Sequence, residues 1–421
     1  MDINEKRSRS IEAPRVGSLV DHFRTVPGLE VDWIETPCGT LPRLTAEFWQ
    51  PGQRNGHSLH EISYRACYKA ELPRLFIEAF THPGDSVYDP FGGRGTTSLE
   101  AALNGRKPWS NDINPLSRML LEPRLSPPTL QQVELRLSKI SRLHVQGSEP
   151  DLSMFFHPDT ESEIRALREW FDARKASNSF DGLDAWIRMV ALNRLTGHSA
   201  GFFSVYTLPP NQAVSASKQR KLNERAERIP SYRDTHAIIL KKSRTLLKDF
   251  ESVQAVERLR LAGREACIFT GNAASTPGIP DDFINLVVTS PPFLDVVQYH
   301  SDNWMRNWFA SVDESSLRGD FIYERSLDGW AHRMSSVFSE LLRVLKPGGR
   351  LIVEVGEVKK SSIRLDETLL PLGARAGFLP EGILIHSQAF TKTSHIWGVR
   401  NGGVGTNTHR MAVFLKPAGT M

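Results

Sequence analysis

Cysteine is scarce in this 421-residue chain: Cys38, Cys67 and Cys267 are the whole set. They share no metal-ligand spacing and no even-numbered framework, so a disulfide-stapled or zinc-fingered protein is excluded. Long apolar runs are also missing. No stretch reaches the roughly eighteen apolar residues of a membrane span, and Met1 to Ser10 is polar and charged, with no apolar signal-peptide stretch. Excess charge is absent too. Lys and Arg number 52 against 48 Asp and Glu, leaving +4. That balance allows a local basic face without calling for nucleic acid on its own. No repeat at a solenoid period occurs. The expectation is a reduced, cytoplasmic protein of two or three domains with a large core.

What is present organises as α/β. Residues 1–60 hold many prolines and glycines and predict an irregular N-terminal extension. Apolar residues at helical spacing over 71–80 lead through His82-Pro83-Gly84-Asp85 into a first strand, Ser86-Val87-Tyr88. A glycine turn and a helix from Thr96 to Leu103 follow, then a second strand ending at Asp112. Charged helical stretches over 129–145, 159–174, 181–196 and 232–259 predict a mostly helical insert at 126–262. Within it, Lys218, Arg220, Lys221, Arg225 and Arg228 form a basic stretch. The strand pattern resumes at 266–270, 284–288, 350–355, 382–386 and 411–415. The chain therefore predicts a Rossmann-like sheet of seven strands, built from 61–125 and 263–421 around the insert.

Two segments carry the chemistry. Asp89-Pro90-Phe91-Gly92-Gly93-Arg94-Gly95-Thr96-Thr97 is a glycine turn between a strand and a helix. It is no P-loop, because no Gly-Lys-Ser/Thr follows. Val288-Thr289-Ser290-Pro291-Pro292-Phe293 places a hydroxyl, two prolines and an aromatic ring at the tip of another strand. Ligand sites of open α/β sheets gather at such carboxyl ends. Together the two segments resemble motifs I and IV of the amino-group DNA methyltransferases. The Thr-Ser-Pro-Pro-Phe form is typical of the cytosine-N4 branch.

The resemblance implies a class I methyltransferase sheet and S-adenosylmethionine as cofactor. It assigns Asp89 to the cofactor's ammonium group and Pro90, Phe91, Gly92, Gly93, Gly95, Thr96 and Thr97 to the surrounding cradle. Asp112 falls where an acid binds ribose hydroxyls. Ser63 to Lys69 resembles motif X, with Lys69 or Ser63 a partner for the cofactor carboxylate, and Asn272 stands in the motif III place near the adenine ring. Ser290 and the Pro291 carbonyl are the expected acceptors for a base amine, Pro292 stiffens the tip, and Phe293 stacks on a flipped base. Tyr299, His409 and Arg410, with the basic Lys218, Arg220, Lys221 and Arg225, are the expected DNA contacts. His409 and Arg410 belong to a loop that resembles motif VIII. The implied partners are double-stranded DNA and a cognate restriction endonuclease, with neither metal nor membrane. Adenine-N6 methylation of DNA is the nearest alternative. RNA base methylation is a further one, and a degenerate binding subunit that keeps the fold stands outside enzymology. The insert falls between motifs II and III, where neither common motif order places its target-reading region.

Overall fold

The computed structural model describes residues 18–49, 56–64, 67–143, 149–207, 213–250, 252–292, 302–313, 326–355, 357–358, 363–387 and 408–418. Phe293 and Tyr299 lie outside the described residues. The main sheet contains β1 (Glu30–Thr36), β2 (Gly39–Ala46), β3 (Ser86–Asp89), β4 (Lys107–Asp112), β5 (Cys267–Thr270), β6 (Ile284–Thr289), β7 (Leu345–Val355), β8 (Leu379–Ser387) and β9 (Thr408–Leu415). Their order across the sheet is β1-β2-β8-β9-β7-β6-β3-β4-β5.

Strands β5, β4, β3, β6 and β7 run parallel. Leu286, Val287 and Val288 are all buried, because a parallel strand is covered on both faces. β9 is antiparallel to both β7 and β8. From β3 the chain builds outward to β4 and β5 on one side and to β6 and β7 on the other. The strand order therefore reverses between β3 and β6, the crevice where open sheets bind ligands. The tips of β3 and β6 are the two motif segments.

Successive side chains leave a strand on opposite faces. Val87, Leu286, Val288 and Met411 pack with Phe76 and Ile77 of the helix Glu71–Phe80. Tyr88, Val287, Val353 and Ala412 pack with Trp330 and Phe338 of the helix Leu327–Val344, and with Leu369 of the helix Leu365–Ala376.

The sheet has nine strands where the sequence predicts seven. The extra pair, β1 and β2, arises in the segment expected to be irregular. Pro42, Leu44 and Ala46 are buried at alternate positions, a strand period that the proline disguises. β2 then adds in parallel to β8, Leu44 beside Leu384.

The insert is helical; Pro158–Ala176 runs longer than the expected 159–174, and the other pieces are shorter than expected. The predicted 232–259 helix is two, Thr235–Leu246 and Val253–Arg264, the second capped by Ser252, whose hydroxyl accepts from the Ala255 amide at 3.2 Å. Ile187, Val190, Ile239 and Leu259 of the insert share one apolar cluster with Leu99, Leu116, Leu120 and Leu125 of the helices following β3 and β4. Met305 and Phe309, on the helix Trp304–Ala310 that follows the Ser-Pro-Pro tip, belong to the same cluster.

Candidate cofactor and catalytic site

Three glycines shape the turn after β3, for different reasons. A Cβ on Gly92 would lie 2.4 Å from Ser110 Oγ, and one on Gly95 2.7 Å from Leu121 Cδ1. Close approach of the turn to β4 demands the first, and its approach to the helix Pro115–Leu125 the second. Gly95 also has φ +76 and Gly93 φ +53, the left-handed region. Around Gly93 such a Cβ would meet Cys67 Sγ at 3.8 Å and Tyr64 Cε1 at 3.9 Å, ordinary contact, so its positive φ and not crowding calls for glycine.

An acid holds the turn at Gly93. Asp112 Oδ2 accepts from the Gly93 amide at 2.7 Å and Oδ1 from the Asn114 amide at 2.8 Å. Burial raises its carboxyl to about 6, against the lowering effect of those two donors. Asn114 caps the helix Pro115–Leu125, its side chain accepting from the Leu116 amide at 3.0 Å, with proline in the first turn. Its Nδ2 donates to the Tyr64 hydroxyl at 3.3 Å. Tyr64 Cε1 lies 3.9 Å from the Cβ position of Gly93. Lys69 and Asn272 are exposed. The Asn272 side chain accepts from the Ala274 amide at 2.9 Å.

Asp89 points elsewhere. Its carboxylate is buried at 1% exposure. Oδ1 accepts from the Thr289 hydroxyl at 2.6 Å and the Phe91 amide at 3.1 Å, and Oδ2 from the Tyr68 hydroxyl at 2.9 Å. Burial pushes it up to about 6 even with these donors. The expected ammonium contact thus falls on a carboxylate that donors within the protein already hold. Thr96 and Thr97 are buried as well: Thr96 Oγ1 accepts from Arg94 Nε at 3.0 Å, and Thr97 Oγ1 donates to the Val288 carbonyl at 3.1 Å. Pro90 is buried and Phe91 half-buried.

Sequence reasoning missed Arg94. Its guanidinium donates to the carbonyls of Ile62 at 2.9 Å, His60 at 3.3 Å and Tyr68 at 3.1 Å. It thereby ties the segment before the helix Glu71–Phe80 onto the glycine turn. Asn193, at the end of the insert helix Gly182–Leu192, clasps the same segment through the Ser63 amide and carbonyl, at 2.9 and 3.2 Å.

At the other strand tip, Ser290 is half-buried and Pro291 buried. The Pro292 carbonyl accepts from Trp330 Nε1 at 2.9 Å. In the ladder Thr289 pairs with Val353, which sets Ser290 abreast of Glu354 on β7. Glu354 Oε1 is 3.0 Å from His409 Nδ1. His386 faces His409 across the β8–β9 pair and stacks on Trp49 at 3.7 Å. Burial lowers His386 to about 4, so its ring is neutral.

Arg410 turns to the opposite face. It is buried and donates from Nε to Asp366 Oδ2 at 2.7 Å. The DNA contact expected of Arg410 thus falls on a guanidinium held in a core ion pair. Lys218, Lys221 and Arg225 are exposed on the helix Ala216–Arg225, as is Arg220, which pairs with Asp151 at 2.6 Å. The inner face of that helix is anchored by Gln219 to the Tyr206 carbonyl at 3.1 Å and by Asn223 to the Met154 carbonyl at 2.7 Å. Phe155, next to Met154, meets the Trp304 ring at 5.9 Å. The basic helix therefore sits one contact layer from the helix that follows the Ser-Pro-Pro tip.

Cys38 follows Pro37 in the β1–β2 turn, at the far edge of the sheet from β6. None of the three cysteines forms a disulfide. Among the described residues no group of three His, Cys, Asp or Glu could hold a metal ion, and no helix is long and apolar enough to cross a membrane.

Comparison with known proteins agrees with this geometry. The N6/N4 DNA methylase family model matches residues 33–117, which hold the glycine turn and Asp112 but not Ser290. The type II methyltransferase M.BsoBI of Geobacillus stearothermophilus is 25% identical over 277 residues, 62% of this chain and 54% of that protein. The type II methyltransferase M.MvaI of Kocuria varians is 27% identical over 132 residues, 30% of this chain and 25% of that protein. The chain thus spans about half the length of the first relative and less of the second. A TehB-like SAM-dependent methyltransferase from Corynebacterium glutamicum aligns over 82% of this chain and 86% of its own, at 10% identity and TM-score 0.29. That superposition is too loose to argue from, and the fold rests on the sheet itself. The family model and the two type II relatives together support the amino-methyltransferase family for this chain.

Proposed function

We propose that this chain is an S-adenosylmethionine-dependent DNA methyltransferase that modifies an exocyclic base amine, the N4 of cytosine, within a specific duplex sequence. One observation carries the reading: the glycine turn and the Ser290-Pro291-Pro292 tip occupy neighbouring parallel strands at the sheet's switch point, joined by the 2.6 Å bond from Thr289 to Asp89. A cofactor cradle and an amine-binding tip belong side by side for direct transfer. The type II relatives favour a restriction–modification setting, with a cognate endonuclease as partner.

The cradle fits the cofactor. Gly93 turns the backbone with a positive φ, and Asp112 keeps lone pairs beyond its two amide donors for ribose hydroxyls. Asn272 and Lys69 are exposed and serve the adenine and carboxylate ends. When bound, the cofactor supplies an electrophilic methyl on a sulfonium.

The chain's own residues prepare the nucleophile. A base amine is weak because its lone pair is delocalised into the ring. The Ser290 hydroxyl and the Pro291 carbonyl accept its two hydrogens, turn the lone pair out of the ring, and hold the positive charge that develops on nitrogen. Trp330 fixes the tip by its bond to the Pro292 carbonyl. Phe293 provides the stacking face that keeps the base extrahelical. His409, with Tyr299 and the basic helix of Lys218, Arg220, Lys221 and Arg225, serves the DNA.

Adenine-N6 would use the same geometry, and Ser290 in place of an acid or amide favours cytosine. Incubation with labelled cofactor and mixed-sequence DNA, followed by digestion to nucleosides and mass analysis, tests the reading. N4-methylcytosine is the expected product. N6-methyladenine alone moves the chain to the other branch, and methylation of RNA alone rejects both.

A further inference from the structure

The backbone ladder between β3 and β6 ends at the pair Tyr88 and Val287. The next two residues of β6, Val288 and Thr289, lead directly to Ser290. No ladder pair with β3 holds them, and side chains take over. Thr97 Oγ1 lies 3.1 Å from the Val288 carbonyl oxygen, and the Thr289 hydroxyl donates to Asp89 at 2.6 Å. Tyr68 completes the group, its hydroxyl 2.9 Å from Asp89 Oδ2 and 2.5 Å from Thr97 Oγ1. Tyr68 is anchored in turn by its carbonyl, which accepts from Arg94 of the glycine turn at 3.1 Å.

Resting on the methyltransferase reading above, we propose that Tyr68, Asp89, Thr97 and Thr289 form a positioning link. It fixes the Ser290 tip relative to the glycine turn, so that amine and methyl meet in register. The link gives Thr289 and Asp89 a role distinct from ligand contact. Asp89 is 1% exposed and Thr289 1%, so neither reaches a ligand, yet each borders a residue assigned to one. Buried and with no water to compete, a short hydroxyl-to-carboxylate bond is strong and directional. Its position is what matters for rate, since reacting atoms must meet within about 3–3.5 Å and a misplacement of about 1 Å lowers rates about 10²-fold.

Thr289→Val removes the hydroxyl at nearly constant volume, and Thr289→Ser keeps it. In single-turnover methyl transfer at saturating cofactor and DNA, Thr289→Val should be slower by roughly 10- to 10²-fold, the scale of a displacement of up to about 1 Å at the reacting atoms. Thr289→Ser should recover to within about threefold of wild type. Calorimetric cofactor affinity stays within about twofold in both, since the link supports the tip and not the cradle. Tyr68→Phe is the second variant should Thr289→Val fail to fold, and the same split is expected of it. A wild-type rate in the folded valine or phenylalanine variant overturns the proposal. So does a loss of rate and cofactor affinity together that serine does not restore, because it marks a general structural defect. A wild-type protein that methylates no nucleic acid overturns the underlying reading and this role with it. A wild-type protein that is active beside unaffected variants overturns only the link.

Discussion

Replacing glycine by alanine at positions 93 and 95 should separate two demands that the turn places on one residue type. Both residues have positive φ, so an L side chain costs about 1–2 kcal/mol at either. Alanine also stiffens the unfolded chain, which offsets roughly 0.4–1 kcal/mol. Gly93→Ala then meets nothing nearer than 3.8 Å, and its loss of stability should stay near 0.5–1.5 kcal/mol. Gly95→Ala drives its Cβ to 2.7 Å from Leu121 Cδ1 and 2.9 Å from Leu121 Cβ. Leu121 is fully buried and has little room to yield, which adds about 1–3 kcal/mol of overpacking. The Gly95 variant should therefore lose about 1.5–4.5 kcal/mol in urea denaturation, still within the roughly 5–15 kcal/mol of a typical domain. Cofactor binding should show the reverse ranking. The new methyl of Gly93→Ala lies beside Cys67 and Tyr64 on the turn assigned to the cofactor, and calorimetry should record a clear loss of S-adenosylmethionine affinity. Gly95→Ala, while folded, should bind more nearly as wild type. If Gly93→Ala binds cofactor normally, or loses more stability than Gly95→Ala, the division of labour within the turn is wrong.

Ser290→Ala should leave cofactor affinity intact and slow methyl transfer by about 10²–10³, the loss expected for one aimed hydrogen bond, measured in single turnover. An unchanged rate would remove Ser290 from the chemistry. Asp112 titrates near 6, so it is ionised above that pH and neutral below. Its capacity to accept from ribose hydroxyls is full above about pH 6 and fades as pH falls through that value; calorimetric affinity should follow, and Asp112→Asn should flatten that limb of the profile. Replacing Lys218, Arg220 and Lys221 together by Ala should reduce the slope of log binding constant against log salt by about 0.9 for each phosphate the helix no longer neutralises. A slope and affinity that both stay put would make the exposed face of that helix a solvated surface only.

The turn and the tip were legible because their signals are local. Glycines at fixed offsets and paired prolines after apolar runs need no knowledge of distant chain. The hairpin β1–β2 was hidden by Pro42 and by exposed neighbours such as Trp33, at 56% exposure. Asp89 was legible as a strand-tip acid, but its partner Thr289 lies 200 residues away, and only the fold reveals which way a tip carboxylate turns. His409 and Arg410 read alike as a polar loop. Once β9 begins at Thr408, strand alternation splits them, sending His409 toward Glu354 and Arg410 toward Asp366. The dividing line runs between features set by a few adjacent residues and features set by parity or by long-range closure.

The insert is where composition and packing disagree most usefully. Its charged helices suggest a separate module, and its length is that of a domain. Its apolar face, however, closes over Leu99, Leu116, Leu120 and Leu125 behind the cofactor side of the sheet, and over Met305 and Phe309 behind the catalytic tip. Gly263 allows this approach: a Cβ there would sit 2.6 Å from the Leu125 carbonyl oxygen. Asn193 reaches from the same insert to clasp Ser63, which directly follows Ile62, a carbonyl partner of Arg94. A surface contact on the basic helix Ala216–Arg225 is thus mechanically continuous with both sides of the site, through Met154, Phe155 and Trp304 on one path. An insert built this way carries its basic face at a fixed position relative to Ser290. A tethered module could not, because relative motion is the default across small polar domain interfaces. The shared core packs the insert onto the helices that follow β3 and β4, and if the basic helix contacts DNA as proposed, its cations are carried by that same core.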